Sequence, residues 1–182
     1  MLVYDGPTGR RAVRLVEVET YLGAADPASH AYRGPTARTA PMFGPPGRSY
    51  VYFVYGMYHC VNVVAERAGV AGAVLLRGAE PVEGTGDDPR ALAGPGKLAR
   101  ALGLTTAHTN MDLVRSRLSI RDAPPVASSR VVRAARIGLA TGSTAHEPWR
   151  FYVRGSLGVS RRSKTEGLQG RRAAHTSPAK RA

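Results

Sequence analysis

The chain has 182 residues, with 26 Lys and Arg against 13 Asp and Glu, for a formal net charge of +13. That length suits one domain with a real core, and no apolar run approaches the eighteen or so residues of a membrane span, nor does the opening MLVYDGPTGRR resemble a secretory signal. A single cysteine, Cys60, rules out an internal disulfide. The five histidines show neither His-x-x-x-His spacing nor a Cys cluster, so a structural metal has no support.

Residues 12–22, AVRLVEVETYL, are β-branched, alternate in polarity and lie between Gly9 and Gly23, which predicts a strand. Glu17 and Glu19 then share one face, as solvated acids paired with arginine or as groups kept for chemistry. From Gly23 to Arg48 no period is sustained, and the segment reads as a long, functional loop. The stretch SYVYFVYGMYHCVN, Ser49 to Asn62, holds four of the eight tyrosines and reads as two strands joined at Gly56-Met57 by a type II′ turn. Gly72–Gly78 predicts a further strand whose one polar residue is Arg77. Lys97–Leu102, after Gly94-Pro95-Gly96 and before Gly103, predicts a helix, and Arg130–Ile137 a second short one. Residues 151–154 resemble a last strand. From Arg161 onward apolar periodicity is lost, and residues 161–182 are expected to be a basic, disordered tail. That tail carries +6 and the body +7, so the body is basic by itself.

Such a balance favours a polyanionic partner, because phosphates neutralised by Lys and Arg release counterions. Solvated arginine on an Arg-rich surface is the plain alternative. The tyrosines divide in the same way. Any one of them could pack in a core, but Tyr55, beside a tight turn, has no neighbouring strand to cover it and suits a wedge inserted from the minor groove.

The blocks VEVETYLGAADPASHAYRGPTARTAPMF, GRSYVYFVYGMYHCVNV, VLLRGAEPVEG, GPGKLARALGL and PWRFYVRGS resemble, in order, the alkyladenine (3-methyladenine) DNA glycosylases of bacteria and vertebrates. The resemblance covers most of Leu15 to Ser160. It implies a mixed α/β (α+β) fold, one compact domain over residues 1–160 built around a curved antiparallel sheet with a protruding hairpin. It further implies a monofunctional base-excision repair enzyme that needs no cofactor, works as a monomer on double-stranded DNA with damaged purines, and resides with the nucleoid in the cytoplasm, away from membranes. By match to the family's motifs, Glu19 is the catalytic acid that activates water and Arg77 helps to place that water. Tyr21 and Tyr52 sandwich the flipped base, His30 lies on its edge, Asn62 crowds the amino group of guanine, and Tyr55 fills the gap in the duplex. Glu17 is structural. Lys97, at the start of the predicted helix, is a candidate phosphate contact. The family usually carries a further helix and strand before the segment that begins here at Leu2, so the N-terminus is expected to be shortened. A non-catalytic DNA- or RNA-binding module is the alternative; it would leave Glu19 dispensable.

Overall fold

The computed structural model describes residues 1–139 and 144–163. Among the described residues, eight strands, all paired antiparallel, form one curled sheet: β1 Leu2–Gly6, β2 Gly9–Tyr21, β3 Ser49–Val54, β4 Tyr58–Val64, β5 Ala73–Glu83, β6 Leu118–Ile120, β7 Val131–Ala134 and β8 Arg150–Val153. The main path runs β3-β4-β5-β2-β1-β6. Strand β2 is the spine, with β5 along one edge while the other is shared between β1, opposite residues 9–13, and β8, opposite residues 17–19. The α-helix among the described residues, α1 Pro95–Leu102, opens on a proline, is followed by Gly103, and buries Leu98, Ala99 and Leu102 against β4 and β5. The fold is therefore α+β, as the sequence implies. No helix among the described residues is long and apolar enough to cross a membrane.

The period of two divides the sheet's chemistry between its faces. Val51, Val61, Leu76 and Val13 join the helix-side core with Leu98 and Leu102. On the opposite parity, Tyr50, Tyr52, Cys60, Asn62 and Leu75 line a cavity. The charged residues lie on that side as well, Arg77 by the parity it shares with Leu75 and Glu19 by pairing with Leu75. Glu17 stands opposite Gly78 and Val18 opposite Leu76, so Arg77 is the unmatched residue of a bulge, from which it bonds both Glu17 and Glu19. Gly78 leaves the room, since a Cβ there would lie 2.2 Å from the carbonyl oxygen of Gly158.

Two local readings are corrected. Arg130–Ile137 is not a helix: a 3-10 turn at Ser128–Arg130 leads into β7, which pairs with β8. Its alternating burial shows that the β-branched Val131-Val132 pair and a free strand edge outweigh the helical spacing of the arginines. The β3–β4 turn is centred one residue early. Tyr55 (φ 53°) and Gly56 (φ 66°) are its central pair, with the Met57 amide donating to the Val54 carbonyl, which is the type I′ pattern of positive φ at both positions. The predicted strand at Gly72–Gly78 runs on to Glu83, and the loop from Gly23 to Arg48 contains only 3-10 turns, at Gly23–Ala25 and Ala40–Phe43. The expected tail lies outside the described residues from 164 onward.

Candidate active site

A cavity of about 340 Å³ opens on the polar face of the sheet. Its walls are Tyr21 from the end of β2, Tyr50 and Tyr52 from β3, and His30 and Met42 from the long loop. Cys60, Asn62, Leu75 and Arg77 come from β4 and β5, and Ile137 to Leu139 close it from the segment after β7. Tyr55 stands at the rim, 82% exposed.

Beneath the cavity lies a desolvated charge network. Glu19 has no exposed surface. Its Oε2 accepts from the Tyr21 hydroxyl at 3.0 Å and from an Arg77 NH at 3.2 Å, and its Oε1 from the Ile137 amide at 2.7 Å. Glu17 is equally buried but faces elsewhere: Arg77 Nε at 3.4 Å, Arg150 at 2.9 Å, and the amide and hydroxyl of Ser160 at 2.6 and 3.0 Å. Arg77 thus bridges two carboxylates, one under the cavity wall and one tied to the chain's last described segment. Charges so deeply buried persist because every one is paired and hydrogen-bonded.

The titratable groups of the walls are tuned by the same burial. Desolvation, then the neighbouring Glu19 carboxylate, push the Tyr21 phenol well up, so its hydroxyl keeps its proton and remains a donor. Desolvation likewise raises Tyr52 and the Cys60 thiol. His30 opens to solvent at the mouth, yet desolvation beside Tyr50 and Tyr52, followed by the nearby Arg38 charge, holds its imidazole below the usual range. A neutral imidazole at the mouth does not repel a cationic guest.

The residues expected from sequence fall into three groups. Tyr21, His30, Tyr52, Tyr55, Asn62 and Arg77 converge on the cavity. Glu19 lies under it, reached through Tyr21, Arg77 and Ile137. Lys97 stands apart, its ammonium donating to the Arg90 carbonyl at 3.1 Å on the surface. Asn62 donates its amide to the Tyr50 carbonyl at 3.0 Å, which fixes its orientation in the wall. Sequence reasoning missed Ile137, Arg150, and the pair Asp26 and Arg136 behind Tyr21, all of which act across long chain separations that no local pattern records. Among the described residues no three His, Cys, Asp or Glu side chains are grouped to hold a metal.

Rings on several sides and a buried charge below suit a planar aromatic guest, and the net charge of +13 suits one carried on a polyanion. A model of the methylpurine-DNA glycosylase (MPG) family matches residues 1–157, and the chain belongs to that family of DNA glycosylases. Its relatives include a protein of Anaeromyxobacter dehalogenans strain 2CP-1, 51% identical over 154 residues, which are 84% of this chain and 71% of that protein. A Myxococcus xanthus protein is 48% identical over 88% of this chain and 83% of its own length, and one from Methanocella arvoryzae is 44% identical over 89% and 86%. Each of the three bears the name "Putative 3-methyladenine DNA glycosylase".

Proposed function

We propose that this chain is a monofunctional DNA glycosylase that extrudes alkylated purines, 3-methyladenine and 7-methylguanine foremost, from duplex DNA and hydrolyses their N-glycosidic bond. The observation that carries the reading is the buried Glu19–Arg77 pair directly beneath an aromatic cavity. Tyr55, on its exposed turn, takes the space the base leaves, and the base stacks in the cavity against Tyr21 and Tyr52, with His30 at its edge. Electron-rich rings attract a cationic base, so the charge introduced by alkylation is itself part of the signal. Asn62, fixed by its bond to Tyr50, crowds the exocyclic amino group of an undamaged guanine.

At the sugar, water attacks C1′ while the C1′–N bond breaks and its electron pair leaves with the base, which departs neutral if it was cationic. Glu19 receives the water's proton, and its charge stabilises the oxocarbenium-like sugar before that transfer. The Tyr21 hydroxyl and Arg77 both donate to Oε2 of Glu19, so the attacking water competes with the Tyr21 hydroxyl for that oxygen. With no lysine at the position of Glu19, the product is an abasic site and the strand stays intact. Hypoxanthine, a neutral leaving group, is the harder substrate. Lys97 and the basic residues after Ser160 add phosphate contacts.

The test is release of 7-methylguanine, 3-methyladenine and hypoxanthine from a duplex, scored as alkali-labile sites, with undamaged duplex and RNA as competitors. Release, unaffected by RNA, supports the reading. Binding that prefers RNA, without release, would leave a nucleic-acid-binding module instead.

A further inference from the structure

Behind Tyr21 lies a second buried ion pair. Arg136 has a fully buried side chain and grips both oxygens of Asp26, which is itself buried; it also reaches the Thr20 carbonyl at 3.0 Å and the Thr144 hydroxyl at 3.2 Å. Its guanidinium centre stands 4.5 Å from the Tyr21 ring centroid and 4.9 Å from that of Trp149. Arg136 is not among the residues lining the cavity, whereas Tyr21 is, so the guanidinium occupies the ring's outer side. The next residue, Ile137, donates its amide to Glu19. Tyr52, the other stacking ring, has a weaker counterpart in the exposed Arg38, 5.5 Å from its centroid.

Resting on the reading of the cavity as a pocket for a flipped base, we propose that Arg136 is a positioning and selectivity residue: it fixes Tyr21 and the Ile137 amide, and its charge behind Tyr21 lowers the pocket's preference for cationic over neutral bases. A ring attracts a cation through the negative potential of its faces. A guanidinium on one face draws electron density toward itself and repels a second positive charge stacked about 3.5 Å beyond the other face. Asp26 approaches the guanidinium along its NH edge and cancels most of its charge at the guest, but the guanidinium lies about 1 Å nearer and leaves a small net repulsion. The arrangement broadens the pocket: a neutral lesion loses nothing to Arg136, while a cationic one gives up part of its stacking advantage.

The experiment compares single-turnover release of 7-methylguanine, cationic, with that of hypoxanthine, neutral, from duplexes otherwise identical. The readout is the ratio of the two rates, in which shared losses of folding or DNA affinity cancel. Removing the pair as Asp26→Asn/Arg136→Met, so that no buried charge is stranded, raises the ratio by roughly 1.5-fold to threefold. Arg136→Lys, which keeps the charge beside Asp26, lowers both rates but leaves the ratio at the parent's value. Arg38→Met, at an exposed site where folding is not at risk, raises the ratio by about twofold. An unchanged ratio in a folded double variant overturns the proposal, as does a Lys variant whose ratio rises as far as that of the double variant. Should the double variant not fold, Asp26→Asn, which leaves the Arg136 charge unopposed, lowers the ratio, and an unchanged ratio there overturns the proposal. A folded parent that releases neither base overturns the glycosylase reading as well.

Discussion

Replacing each of the two buried glutamates by glutamine separates what they do. Glu17 accepts from two arginines and from both the amide and the hydroxyl of Ser160, and among the described ion pairs it is the partner of Arg150. Glu17→Gln strands the Arg150 charge and turns an amide NH₂ toward donors, the situation in which breaking a buried pair costs about 3–5 kcal/mol. At roughly 2–4 °C per kcal/mol for a domain of this size, the midpoint falls by about 6–20 °C. Glu19→Gln costs less, about 1–3 kcal/mol, because Arg77 loses its ion pair with Glu19 but keeps the one with Glu17, and the other bonds disturbed are those from Ile137 and Tyr21. Activity is expected to run the other way: base release, measured at least 10 °C below each midpoint, falls by 100-fold or more in Glu19→Gln and by about tenfold or less in Glu17→Gln. Thermal unfolding by circular dichroism together with single-turnover release gives both orders. A Glu17→Gln protein as stable as the parent, or one that is folded yet more impaired in release than Glu19→Gln, would refute the division of labour between the two carboxylates.

Three further outcomes follow from the geometry. Tyr55 holds φ 53° on an exposed turn, so Tyr55→Gly relieves a backbone cost of about 1 kcal/mol; the midpoint stays or rises while base release from duplex falls by about tenfold or more, and a parallel loss of both would show the ring to be structural. Burial opposes ionisation of Asp26, but hydrogen bonds from Arg136, Thr144 and the Ala28 amide together hold its carboxyl below the usual 3.8; the stability this adds is complete above that value and lost as pH falls below it. Midpoints measured from pH 6 to pH 3 therefore drop at the acid end for the parent, and the drop shrinks in Asp26→Asn/Arg136→Met. For His30 the folded pKa is again depressed, so the imidazole is neutral above its ordinary value of 6.5 and charges only below it. Release of 7-methylguanine is flat from pH 8 to 6.5 and declines in acid, and His30→Gln removes the part of the decline due to this group; an unaltered profile would discharge His30 from the mouth of the pocket.

What the sequence made legible follows from the range of the interactions involved. Strand β2 is written in its own alternation, and α1 in Pro95, Gly103 and the spacing of Leu98 and Leu102, all local signals. The clustering of Tyr21, His30, Tyr52, Asn62 and Arg77 came from resemblance, since composition alone permits a core tyrosine or a surface acid at each place. Arg136 was hidden twice over. Its partner Asp26 is 110 residues away, and its own segment has a helical spacing that only the β8 edge overrides. Arg77 could be placed on a strand, but not beside Glu19, because the pairing of β5 with β2 brings together residues 58 apart in the chain. The turn at Tyr55 was displaced by one residue for a related reason: glycine marks where positive φ is cheap, while here a tyrosine adopts it as well.

The most direct test is the single-turnover release of 7-methylguanine from a defined duplex by the parent chain and by Glu19→Gln, with duplex affinity measured on the same samples. The account predicts release by the parent, a loss of 100-fold or more in the variant, and affinities within a few-fold of each other. Equal release by the two proteins, or none by a folded parent that binds the duplex, would contradict it.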